Sequence, residues 1–409
     1  MITKLSRRLV VVVALATVTG GVLGIGPVAS AAPATVTPGT VRYADLPTAV
    51  PDSYVVVLAK DTKPEDTERV TGELIAKYGG SVRFSYTAAL QGFSVDATED
   101  QAALMAGDPQ VDYVAQDQTV DLNVFVQPNP PSWGIDRIDE RSLPLDAKYH
   151  YANLAPSVRA YVIDTGILLS HQEFGGRAVC GFDPFAAGCA PCNQGHGTHV
   201  AGTIGGSTVG VAKGVQIVSV RVFGCSGSTT WAVVIAGVNY VTLAQQLNPS
   251  VRSVANMSLG GGAFQPVDDA VTNSINANVH YSIAAGNSNF NACSFSPART
   301  PLATTVGATT NTDSRAGFSN FGPCVDLFAP GQSIYSAWST ANNAYSTISG
   351  TSMAAPHAAG VAALWRQRFP ADNAVAVGAA LVNNATPGVV INPGVGSPNL
   401  LLFSGMVPM

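Results

Sequence analysis

From Trp133 to Met409, short and nearly continuous apolar runs alternate with helical stretches. The runs include "VRAYVID", "VQIVSVRV", "VRSVANMS", "VHYSIAA", "TTVGA" and "VDLFAPG". Between and after them the spacing predicts helices over 231–246, 266–277 and 351–368. A strand that is apolar on both faces needs cover on both faces. The alternation therefore predicts an α/β domain with a mostly parallel central sheet and helices on each side. In such a sheet, functional groups gather beyond the C-terminal ends of the strands.

Upstream the pattern changes. Residues 53–118 are richer in charge and read as β-α-β-β-α-β. "SYVVVLA" is a strand, 64–78 has helical spacing with acidic residues in its first turn, and "GSVRFSY" and "GFSVDA" alternate as strands. A second helix is expected over 99–106, and "VDYVAQD" closes the unit. This predicts a separate small α+β domain of ferredoxin-like order. The Pro/Ala/Thr-rich stretch 32–52 reads as linker, and 119–132 reads as a Pro-rich connection without periodicity. The α/β pattern then occupies 133–409.

The N-terminus carries Lys4, Arg7 and Arg8, an apolar run from Leu9 to about Val18, and the small residues Ala29-Ser30-Ala31. That order predicts a secretory signal over 1–31. The competing reading, a membrane anchor, is interrupted by Gly20, Gly21, Gly24, Gly26 and Pro27 before the run reaches a full span. Composition agrees with export. Charged residues make up only 11%, while Gly (41) and Pro (26) are abundant, as in a compact, turn-rich secreted chain. A net charge of -5 gives no electrostatic case for nucleic acid or an anionic membrane as partner. In an exported chain disulfides persist. The six cysteines (Cys180, Cys189, Cys192, Cys225, Cys293, Cys324) do not form the two CxxC pairs of a zinc site, so three disulfides are expected.

Three residue types suited to one chemistry stand at strand-to-helix edges. Asp164 ends "VRAYVID", His196 opens the next helix, and Ser352 opens a long helix after a glycine turn. A serine becomes a nucleophile when a neutral imidazole takes its proton and a carboxylate fixes that imidazole. The N-terminus of the Ser352 helix adds N–H groups where an oxyanion forms, and Asn287 just past a strand end can add a side-chain donor. His196 and His199 lie one helical turn apart and could also be read as metal ligands. Zinc helices, however, usually space their histidines by four with a glutamate between them, and here Gly197 and Thr198 intervene.

At these positions the chain resembles the subtilases, and within them the proteinase K and aqualysin-like branch. The resemblance covers about residues 126–409 through "YVIDTGI", "GHGTHVAGTIGG", "NMSLGGG", "AAGNSN" and "GTSMAAPHAAGVAAL". It implies a subtilisin-like fold and a secreted serine endopeptidase, with Asp164 as orienting carboxylate, His196 as base, Ser352 as nucleophile and Asn287 as oxyanion donor. It makes His199 a structural histidine, not a ligand. Residues 53–118 resemble the inhibitor-type propeptide of such enzymes, which implies a self-processing zymogen whose mature chain begins near Val126. A substrate-binding module is the plainer reading of that unit. Little of the chain follows the catalytic fold, so no C-terminal binding domain is expected. Substrate peptides are expected to add as a strand along 224–228 (Gly224, Ser226, Gly227) and 258–260 (Ser258, Leu259, Gly260). The main pocket would be walled by the second of these and by Ala284, Ala285 and Gly286. These small, uncharged residues imply preference for an apolar or aromatic side chain before the cleaved bond.

The resemblance also implies structural calcium, held by Pro301 and Ala303 carbonyls with Asp326. A second site is expected at Asp136, Asp139, Glu140 and Asp146, four acids that can equally be a solvated turn. It pairs Cys192 with Cys225 and Cys293 with Cys324. It does not contain the remaining pair, Cys180 with Cys189; the alternatives are a free thiol or Cys189 replacing Cys192. The implied partners are peptide substrates and the chain's own propeptide, on a monomer with no nucleic acid and no membrane after signal removal. Two other classes fit the scaffold: a catalytically silent binding protein, which the intact residue set opposes, and a peptide ligase, which usually carries cysteine where Ser352 stands.

Overall fold

The structure, a computed structural model, describes residues 37–46, 49–119, 125–192, 194–405 and 407. The expected leader over 1–31 and residues 120–124 of the expected connection lie outside them. The chain divides into two compact units between Val120 and Asp121.

The first unit is a five-stranded sheet in the order Val41–Arg42, Val111–Gln118, Ala49–Leu58, Gly92–Asp96, Ser81–Tyr86, with helices Thr67–Tyr78 and Glu99–Ala106. The second helix starts where it does because Thr98 and Gln101 form a reciprocal capping box. Val70 and Leu74 of the first helix and Met105 of the second close over Val56, Phe93, Val95 and Val114. Part of the expected linker belongs to this sheet: Val41 pairs with Val114 in parallel, and the strand that was expected from Ser53 begins at Ala49. A two-residue strand has no periodicity to read; its partner, far along the chain, decides it.

In the second unit nine strands form one sheet. Its order is Thr386–Pro387, Leu400–Leu401, Leu327–Pro330, Thr304–Thr309, Val279–Ala284, Arg252–Met257, Val158–Asp164, Gln216–Arg221, Ala178–Phe182. Adjacent strands are parallel except the short pair at the first edge. Side chains alternate between faces as a pleat requires. Ala160 and Val162 pack with helices His196–Gly205 and Thr351–Arg368, whereas Tyr161 and Ile163 pack with Trp231–Leu247 and Gln265–Asn276. The chain order reverses around Val158–Asp164, whose neighbours are the strands after it on one side and on the other.

The stretch 119–132, expected to be structureless, contains the strand Phe125–Pro128, paired antiparallel with Lys148–Tyr151. Its prolines stand at and beyond its end, where a missing N–H costs no ladder bond. Three disulfides join Cys180 to Cys189, Cys192 to Cys225 and Cys293 to Cys324, all in this unit.

Candidate active site

Asp164 is the last residue of its strand and is buried, and Gly166 turns the chain away with φ +96°. One carboxylate oxygen accepts from Thr165 N at 2.7 Å and meets His196 Nδ1 at 2.8 Å. The other has no partner among the described residues. Helix His196–Gly205 begins against this turn: Gly197 N donates to Thr165 Oγ1 at 3.0 Å, and a Cβ on Gly197 would stand 2.4 Å from the Gly166 carbonyl. Only glycine allows that approach. Burial works against a protonated His196, but the charge of Asp164 and its hydrogen bond outweigh it and hold the pKa above the ordinary imidazole value. About a third of the His196 side chain remains exposed. His199 is fully buried with Nε2 2.9 Å from the Ile334 carbonyl, and burial pushes its pKa down to about 4.

Ser352 is the second residue of helix Thr351–Arg368, within the first turn whose N–H groups have no intrahelical partner. Pro356 lies four residues further on and has no N–H to give the Ser352 carbonyl. The hydroxyl of Ser258 takes that place at 2.7 Å, itself receiving a hydrogen bond from Asn256 Nδ2 at 2.8 Å. In return the Ser352 hydroxyl donates to the Ser258 carbonyl at 3.3 Å. In this state its proton is therefore directed at Ser258, not at His196.

Asn287 follows the turn after Val279–Ala284. Its Oδ1 accepts from Thr351 N at 2.8 Å and from Thr351 Oγ1 at 2.9 Å, and Thr351 Oγ1 accepts in turn from Gly286 N at 3.0 Å. The Asn287 Nδ2 hydrogens have no partner among the described residues and are the group left to donate. Asn320, buried, holds the loop from below through Ala285 O, Ser288 N and Phe290 N at 2.8–3.0 Å.

Ser352 and Asn287 share one cavity of about 310 Å³ with Ser258, Leu259, Gly260, Ala284, Ala285 and Gly286, and no charged residue lines it. Its far wall, Phe295, Ser296 and Ala298, was not expected. Ser296 pairs with Gly261 across a two-residue ladder and is anchored on the buried Asp268 carboxylate at 2.9 Å. A second cavity, about 470 Å³, lies between Leu259–Gly261 and Phe223, Ser228, Thr229, Thr230, Trp231 and Val234. The aromatic residues Phe223 and Trp231 gave no sequence signal beyond ordinary core. Gly224, Ser226 and Gly227, expected as an extended edge, instead form a turn closed by Gly227 N to Gly224 O at 3.1 Å, and they line neither cavity. The Cys192–Cys225 bridge fixes that turn against the approach to His196.

Pro301, Ala303 and Asp326 come together at a third cavity of about 300 Å³. Burial raises the Asp326 pKa to about 6, and no cationic side chain pairs with it among the described residues. Of the four acids near the N-terminal helix, Asp136, Glu140 and Asp146 bring carboxylate oxygens within 4.8 Å of one another. Asp136 Oδ1 and Glu140 Oε2 are buried without partners, and both acids have raised pKa values, from burial first and then from like charge. Asp139 does not join them. Its Oδ2 is taken by His150 N at 2.7 Å and His150 Nδ1 at 2.9 Å, while its Oδ1 is buried without a partner and lies outside that group of three. Asp146 is exposed and engaged by Lys148 N and Nζ; hard carboxylate oxygens gathered in this way suit a divalent cation such as calcium.

A profile of the Subtilase family matches residues 161–401, and one of Peptidase inhibitor I9 matches residues 53–123. The chain is 47% identical over 380 residues to an extracellular serine proteinase of Thermus sp., covering 88% of this chain and 91% of the relative. It is 45% identical over 381 residues to alkaline serine exoprotease A of Vibrio alginolyticus, covering 90% and 70%. Among solved structures it is similar to a cold adapted subtilisin-like serine proteinase, at 53% identity and TM-score 0.63, over 66% of this chain and 97% of the other.

Proposed function

The chain belongs to the subtilase family and is a serine endopeptidase with an I9 inhibitor domain ahead of its peptidase domain, and on that premise we propose how its residues divide the work. Asp164 holds His196 in the tautomer that presents a bare Nε2. His196 takes the Ser352 proton, Ser352 Oγ attacks the peptide carbonyl, and the oxyanion is received by Asn287 Nδ2 and the first-turn N–H of Ser352. His196 then gives the proton to the departing amine, and water repeats the sequence to release the acyl group. For this the Ser352 hydroxyl must turn from the Ser258 carbonyl towards His196. The uncharged cavity beside Ser352 takes an apolar or aromatic side chain from the residue before the cut.

Two further properties belong to this reading. The enzyme is secreted as a zymogen, inhibited by its first unit, and cuts itself ahead of Val126. The bond after Phe125 lies within the strand Phe125–Pro128, which in the uncut chain is already paired with Lys148–Tyr151. Calcium serves stability only: Pro301, Ala303 and Asp326 would hold one ion, and Asp136, Glu140 and Asp146 another, neutralising the Asp326, Asp136 and Glu140 carboxylates that burial disfavours. The working form is a monomer.

The single observation that carries the reading is the convergence of the Asp164–His196 pair, Ser352 and Asn287 at strand and helix ends of one sheet, two of them on one uncharged cavity. Ser352→Ala tests it. Hydrolysis of a peptide with an aromatic residue before the scissile bond should fall by about a millionfold, the magnitude known for a subtilisin serine. The purified variant should also stay uncut between its two units. Normal processing with no other protease present would refute self-cleavage.

A further inference from the structure

The bridge Cys180–Cys189 closes a loop that leaves the edge strand Ala178–Phe182 and returns over the turn after Asp164. There Ile167 N donates to the Cys189 carbonyl at 3.0 Å. The loop is ordered from within. Asp183 accepts from the N–H groups of Phe185, Ala187 and Cys189 at 2.9, 2.8 and 2.9 Å. Its Oδ2 lies 3.6 Å from Nη1 of Arg221, which is buried and reaches Phe223 O at 3.1 Å and Cys192 Sγ at 3.0 Å. The Arg221 guanidinium lies 5.0 Å from the centre of the Phe185 ring, within cation–π range. The edge of that ring is 3.6 Å from where a Cβ of Gly224 would stand. Phe185 is therefore seated on Arg221 and against Gly224, yet 41% of it remains exposed.

Phe185 lines neither of the two cavities of the cleft. Those cavities share Leu259, Gly260 and Gly261, so both open on the same strip of the edge 258–260. Successive side chains of an extended peptide point to opposite faces. When one side chain enters the cavity beside Ser352, the preceding one points away from it, towards the turn 224–227, which is flanked by Phe223 and Ser228 of the second cavity and at Gly227 lies against Gln194, two residues before His196. Resting on the proposed reading of that cleft, we propose that Phe185 is a specificity-determining residue: its exposed ring forms an added apolar subsite for the residue immediately before the one in the main cavity. Large apolar or aromatic side chains are favoured there. Gly224 leaves the ring edge uncovered, and the Cys180–Cys189 bridge with Asp183 holds the ring in place. A Phe185 that served only as a lid on Arg221 would affect stability and leave the substrate profile flat.

The test uses the mature wild-type enzyme with two matched peptide series that keep the same aromatic residue before the scissile bond. One series carries leucine or phenylalanine at the preceding position, the other glycine. The wild type should prefer the first, and Phe185→Ala should lower kcat/KM for it by about tenfold, mostly through KM. The glycine series should be unchanged, and Phe185→Leu should restore most of the preference. Concentrations are normalised by titrating the reactive serine, so that a poorly folding variant does not mimic the effect. No preference in the wild type, or an equal loss on both series, would overturn the proposal. Failure of the wild type to cleave either series would overturn the reading of the cleft itself.

Discussion

The two units place their charges differently. In the first unit the ion pairs Arg69–Asp66, Arg69–Glu73 and Arg83–Asp96 all join side chains that are 40% or more exposed. Asp108 is its one buried carboxylate among the described residues, answered by Lys77, Tyr78 and Gln110 N. The second unit has one such exposed pair, Lys148–Asp146, but several of its charges are inside. Arg137 and Asp313 form a buried two-pronged pair at 2.7 and 2.9 Å that ties the helix Trp133–Ile138 to the loop before Ala316. Asp268 anchors the cavity wall through Ser296 and Arg299. Glu173 is buried and satisfied by Ser207, Thr208, Val209 and Tyr345. A buried charge demands fixed partners, because leaving it unpaired costs far more than an exposed pair contributes. The second unit thus spends its charges on position, as a catalytic cleft requires. The first has a plain apolar core and a solvated surface.

That contrast can be broken by neutralising one charge at a time. The largest effect is expected at Asp164. Asp164→Asn should lower turnover by about four orders of magnitude at its plateau, since the imidazole loses the carboxylate that sets its tautomer. The pH profile carries an independent sign. His196 must be neutral to act, and Asp164 raises its pKa, so activity in the native enzyme rises with pH through that raised value. Without the carboxylate charge, burial alone remains and lowers the pKa, so the acid limb should move to lower pH. An unmoved limb would show that Asp164 does not govern His196.

Next comes Asp313→Asn, which leaves Arg137 charged and buried. Urea unfolding of the mature enzyme, kept inactive by a reversible inhibitor, should show a loss of about 3–5 kcal/mol. A much smaller loss would mean that water or another group reaches Arg137. Chelation ranks third. Removing calcium from enzyme held at about a hundredfold its dissociation constant should cost about 2.7 kcal/mol per site. Asp326→Asn and Asp136→Asn should each remove part of the calcium dependence of Tm. At the bottom stands Arg69→Ala in the first unit, which should leave the unfolding midpoint of that unit unchanged within error. A clear loss there would erase the contrast between the units.

Much of this architecture is legible along the chain because it is local. Six apolar runs became strands of the sheet, and helices expected over 231–246, 266–277 and 351–368 occur as Trp231–Leu247, Gln265–Asn276 and Thr351–Arg368. Periodicity, capping residues and glycine turns act over a few residues, so the sequence determined the layers, the chain order of Asp164, His196, Asn287 and Ser352, and their places at element ends. What it left open depends on partners far apart in the chain. Val41–Arg42 and Phe125–Pro128 are strands only because distant segments offer their edges. Asn320 and Thr351 brace Asn287 from 33 and 64 residues away, and the Ser258 hydroxyl fills the hydrogen bond that Pro356 cannot make. Asp139, indistinguishable from its acidic neighbours in sequence, has one oxygen claimed by His150. Tertiary packing decided these, because a hydrogen bond is fixed by where two atoms meet and not by how far apart their residues are written.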